Sequence, residues 1–285
     1  MDHRPSGTIT FLFSDIEAST DKWEKNAEQM KIAFRSQEEI IRTSMSEHGG
    51  YVYKMIGDAF QVAFDTALQA LKAALFAQRA IQRESWDDNG QLKVRMALHT
   101  GVVEERDDDY VGPLLNRAAR LMNAGHGGQV LISQATYELL RDILPESVNL
   151  RDLGVHRLKD LARQEHIYQL EVSDLEAVFP PLRTLDSQPN NLPLQMTSFI
   201  GRETEFEEVK ILLDISRLVT LTGSGGAGKT RLALQLAADL VEEFDQGVWW
   251  VDLAAMGDPE LATQAVAGVL SVRDETQRPL IETLS

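Results

Sequence analysis

The sequence predicts an α+β, ferredoxin-like domain with a βαββαβ core over residues 1–172, a linker over 173–197, and an incomplete α/β P-loop segment over 198–285. Three observations predict it. Hydrophobic period switches from two to 3.6 and back in the order strand, helix, strand, strand, helix, strand between Thr8 and His99. Gly57-Asp58 sits between two β-rich runs, as a tight hairpin requires. Gly223-Ser224-Gly225-Gly226-Ala227-Gly228-Lys229-Thr230 fits a phosphate-binding loop, with a strand pattern before it and a helix pattern after it.

Thr8 to Phe13 is an apolar run that reads as a buried strand and ends at Ser14-Asp15. Trp23, Met30, Ile32, Phe34, Ile40 and Ile41 then fall on one long helix to about Glu47, stopped by Gly49-Gly50. Tyr51 to Ile56 and Ala59 to Phe64 form the hairpin. Thr66 to Arg83 is an Ala- and Leu-rich helix with Asp65 as its N-cap, and Leu92 to His99 alternates as a strand. Glu104 to Asp109 reads as an acidic loop. Pro113 opens a helix, Gln129 to Ile132 is a strand, and Ser133 caps a helix to about Arg141. Val148 to Leu153 and His166 to Leu170 read as closing strands.

Composition bounds the function classes. The chain has 285 residues, 43% apolar and 25% charged, which is globular. It has no cysteine, which excludes disulfides, thiolate metal sites and thiol catalysis. A net charge of -16, with no local basic face, argues against direct nucleic-acid binding. No run is long enough to span a membrane, and the polar start, Met1 to Gly7, argues against export; a cytoplasmic location is expected.

The topology brings chemistry-bearing residues together. Taken alone, Gly57-Asp58 is turn chemistry, Lys54 a solvated strand residue and Asp15 a turn or N-cap residue. In a βαββαβ unit, however, the end of the first strand and the hairpin tip share one sheet edge, so Asp15 and Asp58 converge. Two converging carboxylates repel unless a cation lies between them, and hard cations such as Mg²⁺ or Mn²⁺ take oxygen ligands. The N–H groups of Ile16 to Thr20 offer a polyphosphate a cradle. Asn116 and Arg120 share a helix face and could hold a ribose and a phosphate, or be ordinary surface residues. His99, His126, His156 and His166 show no metal-ligand spacing.

Taken in order, Phe13 to Thr20, Lys54-Met55-Ile56-Gly57-Asp58, Arg95 to Gly101, and Asp109 to Arg120 resemble the four motifs of the class III nucleotidyl cyclase catalytic domain, over roughly residues 6 to 172. The resemblance implies two ions, Mg²⁺ or Mn²⁺, on Asp15, Asp58 and the backbone carbonyl of Ile16. It implies that Lys54 and Asp109 read the adenine edge of ATP, Asn116 orients the ribose, Arg120 stabilises charge on the α-phosphoryl group, and Lys159 binds the triphosphate. It also implies a head-to-tail homodimer with shared sites. The family commonly has glycine where this chain has Ala18 and Ala97. A methyl at 18 crowds the phosphate approach if that position needs positive φ.

The C-terminal segment resembles the start of a STAND-type NTPase, as in large bacterial LuxR-like regulators, with Gly223, Gly228, Lys229 and Thr230 as its nucleotide ligands. Strands are expected at 217–222 and 247–253, and Asp252 is not the Walker B residue. An incomplete segment of this kind is expected not to hydrolyse nucleotide. Two functions follow from these readings. One is an adenylate cyclase; the other is a dimerising, nucleotide-sensing regulator without turnover.

Overall fold

The structure is a computed structural model that describes residues 4–86, 92–106, 109–161, 163–193, 199, 201–254, 256–258 and 261–272. Two compact units emerge: Met1–Leu158 with Arg163–Thr184, and Lys159–Ala162 with Leu185–Ser285.

The first unit is built on β1 (Thr8–Ile16), which pairs antiparallel on both sides, with β3 (Ala59–Phe64) and with β4 (Val94–Val102). A strand enclosed on both edges and both faces must be apolar almost throughout, and Ile9, Phe11, Leu12, Phe13 and Ile16 are all buried. β2 (Tyr51–Ile56) closes the hairpin onto β3, with Gly57 at φ 59 in the turn. β7 (Val130–Ser133) joins β4 in parallel, followed by β9 (Glu165–Glu171) and β8 (Asn149–His156), giving the order β2-β3-β1-β4-β7-β9-β8. The four strands of the expected core therefore take their ferredoxin-like places, and β7, β9 and β8 extend the sheet.

One face carries α2 (Ala27–Glu47) and α3 (Ala67–Arg83), whose Ala70, Ala73, Ala74 and Ala77 are fully buried against the sheet. Small residues let α3 sit close to Leu12, Met96 and Leu98. The other face carries α4 (Pro113–Asn123), which opens on its proline as expected. A side chain at Gly101 would collide with Leu114, so glycine there gives α4 its seat on β4.

Several elements differ from the sequence reading. The single long helix is two, α1 (Ser19–Lys25) and α2, because Asn26 leaves helical geometry and its side chain accepts from the Gln29 N–H at 3.2 Å. Thr66, not Asp65, caps α3, in a reciprocal capping box with Gln69. The acidic loop contains a short hairpin, β5 (Glu104–Arg106) and β6 (Asp109–Val111). α5 (Gln134–Leu140) is capped by Ser133, as expected. Where a linker is expected from residue 173, residues 173–184 pack with the first unit: Asp174 accepts from Arg79 Nε and Nη2 at 2.7 and 2.8 Å, and Leu182 is buried.

The second unit holds α6 (Glu203–Ile215), α7 (Lys229–Asp239), a 3₁₀ turn and α8 (Ala262–Val269). The strands expected at 217–222 and 247–253 do not form. Strand geometry needs a ladder partner for every buried N–H and C=O, and among the described residues of this unit the pairing is an isolated bridge, Asn190↔Val248. Val219 and Leu221 pack instead on a small cluster of Val209, Leu232, Leu236 and Leu240.

A polar chain threads the core of the first unit. His99 Nδ1 lies 2.7 Å from Ser133 Oγ, and Thr136, Thr100 and Thr10 continue it hydroxyl to hydroxyl at 3.2, 2.9 and 2.8 Å. Burial, with the Arg117 charge adding to it, holds the His99 pKa down to about 4. The unfolded chain binds the proton near the ordinary value of about 6.5, so stability is lost as pH falls from there towards 4. Between pH 7 and pH 5 the loss is about 2 kcal/mol. Urea unfolding of wild type and His99→Gln at both pH values should show this extra slope in wild type alone.

Ala18, between β1 and α1, is left-handed at φ 53, ψ 39. This conformation costs a Cβ-bearing residue about 1–2 kcal/mol. Ala18→Gly relieves it and gives back about half of the gain as unfolded-state entropy. The urea midpoint should rise by the equivalent of about 0.5–1 kcal/mol.

Candidate active site

The β1–β3 register pairs Ser14 with Phe60, and the hairpin closes at Ile56↔Ala59. Asp15 is the next residue out along β1, and Asp58 is the second residue of the turn. The expected convergence of residues 43 positions apart in sequence is therefore present, close enough for the Asp58 charge to raise the Asp15 pKa. Burial is the larger cause of that rise. A hydrogen bond and charge from Arg95 oppose it, and the balance stays above the ordinary carboxylate range. Arg95 faces Asp15 directly across the β1–β4 register and donates to Oδ2 from Nη2 at 2.6 Å and Nε at 3.1 Å, with both side chains 17% exposed.

Asp58 is half-buried rather than exposed at its hairpin tip, and its Oδ2 is buried without a hydrogen-bond partner. An orphaned carboxylate oxygen beside a second, desolvated carboxylate suits a hard divalent cation. Ile16, the last residue of β1, can add a backbone carbonyl. Among the described residues no three His, Asp or Glu side chains converge, so the donor set is two carboxylates and a carbonyl. Such a sparse set suits an ion that shares its shell with water and phosphate.

Lys54 and Asp109 are also brought together, from β2 and the first residue of β6. Lys54 Nζ donates to Asp109 Oδ2 at 2.7 Å, and Asp109 Oδ1 accepts from the Tyr110 N–H at 2.8 Å. The Lys54 hydrogen bond leads the causes that hold Asp109 below the ordinary carboxylate range, so it is an ionised acceptor at neutral pH. Phe11, Tyr53 and Tyr110 form an edge-to-face cluster beneath the pair, with centroids 4.9–5.7 Å apart. Arg4 lies over the Tyr110 ring and donates to the Asp109 carbonyl at 3.1 Å.

Asn116 is exposed and Arg120 half-buried, one turn apart on α4. Arg117 between them pairs with buried Glu165 at 3.4 Å. Lys159 is part of the second unit, where its Nζ donates to the Asp239 carbonyl at 3.2 Å and lies 3.6 Å from the Asp239 carboxylate. In that unit Gly223, Gly226 and Gly228 all have positive φ ahead of α7, Lys229 Nζ donates to the Gly223 and Ser224 carbonyls at 3.0 and 2.9 Å, and Thr230 is exposed.

Sequence reasoning missed Arg95 as the partner of Asp15, although antiparallel pairing of the two predicted strands would have aligned them. It also missed Arg4, and Arg183, which bonds Glu17 from 166 positions away and left no periodic signal.

A sequence profile of the adenylate and guanylate cyclase catalytic domain matches residues 1–172. An uncharacterized protein of Mycobacterium tuberculosis is 41% identical over 204 residues, which is 70% of this chain and 69% of that protein. An adenylate cyclase of Podospora anserina is 28% identical over 221 residues, 58% of this chain but 10% of that larger protein. Among solved structures, an adenylate cyclase from Trypanosoma brucei in its monomeric state superposes with a TM-score of 0.58 at 25% identity, over 63% of this chain and 94% of that one. The adenylyl cyclase CyaB of P. aeruginosa gives 0.52 at 27% identity, over 59% and 95%. A β1–β3–β4 frame that sets Asp15 beside Asp58 and Lys54 against Asp109 thus lies within the stretch matched by the profile, and the chain belongs to the family of the adenylate and guanylate cyclase catalytic domain.

Proposed function

We propose that this chain is an adenylate cyclase that converts ATP to 3′,5′-cyclic AMP and pyrophosphate in a homodimer with two divalent cations, Mg²⁺ or Mn²⁺. The observation that carries the reading is the orphaned Asp58 oxygen beside desolvated Asp15. Asp15, Asp58 and the Ile16 carbonyl would hold the cations. When bound, these supply activation of the attacking 3′-oxygen and charge stabilisation on the phosphates.

The chain's own residues select and orient. Lys54 is a donor for a purine ring nitrogen, and Asp109 an acceptor for the 6-amino group. Guanine offers a carbonyl where Asp109 needs a donor, leaving polar groups unpaired, so ATP is favoured. Similarity to proteins named adenylate cyclases supports the same choice. Asn116 orients the ribose. Arg120 supports charge on the α-phosphoryl group as the 3′-oxygen bonds to phosphorus and the bond to pyrophosphate breaks.

The second reading is a dimerising, nucleotide-sensing regulator. Arg95 on Asp15 and the strained Ala18 favour it, because each opposes cation or phosphate binding. In the second unit, the positive-φ glycines at the start of α7 support a phosphate-binding role for Gly223, Gly228, Lys229 and Thr230, as in a STAND-type NTPase.

Purified protein with Mn²⁺ should form cyclic AMP from ATP faster than cyclic GMP from GTP, and excess EDTA should stop it. Asp58→Ala should lower turnover by at least about 100-fold without lowering thermal stability, since it removes a buried carboxylate that has no partner for one oxygen. Cyclic AMP formation that survives EDTA removes the cation assignment; a preference for GTP removes the base assignment.

Shared sites give a further expectation. Co-expressed Asp58→Ala and Arg120→Ala chains, each inactive alone, should recover roughly a quarter of wild-type activity, because about half of the dimers are mixed and each has one intact site of two. Mixed dimers that stay inactive place each site within one chain.

A further inference from the structure

We propose that residues 173–184 are a strap that positions the loop from Ile16 to Thr20, with Arg183 as the positioning residue acting through Glu17. The proposal rests on the reading of that loop as the cation and phosphate site.

Glu17 lies between the Ile16 carbonyl and left-handed Ala18. Its N–H donates to the Lys93 carbonyl at 2.9 Å, and its Oε1 accepts from Arg183 Nη2 at 2.8 Å. His126 Nδ1 is 3.8 Å from the same oxygen. Gly127 packs so closely that a Cβ there would come within 2.8 Å of Glu17 Oε2. The Glu17 side chain therefore has a formed seat.

Arg183 is held in turn. Its N–H donates to the Ala124 carbonyl at 2.9 Å, and its neighbours Leu182 and Thr184 are 7% and 2% exposed. His126 Nε2 lies 2.9 Å from the Pro181 carbonyl. Upstream, Asp174 is bound by Arg79 and Glu176 by Lys93 at 2.9 Å. Lys93 is thus held twice, by Glu176 through its side chain and by Glu17 through its carbonyl.

Ala18 explains why the loop needs holding. A strained left-handed residue persists only where its surroundings fix it, and the adjacent Glu17 is fixed on both its N–H and its carboxylate. The strap lies beyond the stretch that the cyclase profile matches, and its last residue is followed in the chain by the second unit. Cation affinity in the first unit thereby depends on chain that leads out of it.

Charge and positioning predict opposite signs, which makes the proposal testable. Removing the Arg183 charge alone would leave Glu17 unneutralised and attract a cation more strongly. Releasing the loop would weaken binding. The Arg183–Glu17 pair is partly exposed, at 36% and 24%, so the effect is modest.

The experiment uses the full chain with Arg183→Ala, Arg183→Lys, Glu17→Gln and the double variant Glu17→Gln/Arg183→Ala. Amide hydrogen exchange is followed over residues 16–20, Mn²⁺ binding by electron paramagnetic resonance, and KM for ATP against kcat, with urea midpoints as control. Arg183→Ala should speed exchange in the loop, weaken Mn²⁺ binding about five-fold and raise KM more than it lowers kcat. Arg183→Lys should restore most of each, and the double variant should match either single loss. Unchanged loop exchange, tighter Mn²⁺ binding in Arg183→Ala, or equal losses in Arg183→Lys would each overturn the proposal. If wild type binds no Mn²⁺ and forms no cyclic nucleotide, the cyclase reading fails and loop exchange alone decides the strap.

Discussion

Asp15 cannot leave Asp58. β1 is hydrogen-bonded on both edges, and a slip of one residue would turn Phe11, Phe13 and Asp15 to the wrong face of the sheet. The two carboxylates are thus pressed together by the burial of β1, not by any attraction between them. Arg95, fixed opposite Asp15 by the same register, offsets part of the cost. Asp58 keeps an unpartnered buried oxygen, so part of that electrostatic conflict remains in the folded chain. The fold stores this conflict because the apolar core of β1 outweighs it.

The Lys54–Asp109 pair rests on different physics. Lys54 and Asp109 lie over an aromatic cluster whose members come from β1, β2 and β6, so the positions of their backbones are set by packing. The pair itself is partly exposed and contributes little to stability. Its two ends can separate at small cost, where a buried salt bridge would resist separation.

The two units contrast in how they satisfy their backbones. The first closes a seven-stranded sheet and buries a helix pair on one face. The second has helices and small apolar clusters but, among its described residues, a single isolated bridge. Strand-forming sequence at 217–222 accordingly packs by its side chains without acquiring a ladder.

The sequence by itself determined the four core strands of the first unit and their order along the chain, because period two and period 3.6 are local properties of the chain. It also determined that Asp15 and Asp58 share an edge, since that follows from the βαββαβ connection alone. Local competition it read less well: Asn26 breaking a helix and Thr66 displacing Asp65 as a cap both depend on which side chain wins a nearby N–H. Only the tertiary structure decided the rest. It put Ala18 in left-handed geometry, paired Arg95 with Asp15, placed Lys159 on Asp239, and returned Arg183 to Glu17 across 166 positions. These are contacts between distant residues whose proximity is fixed by packing and register, and packing leaves no period in a sequence.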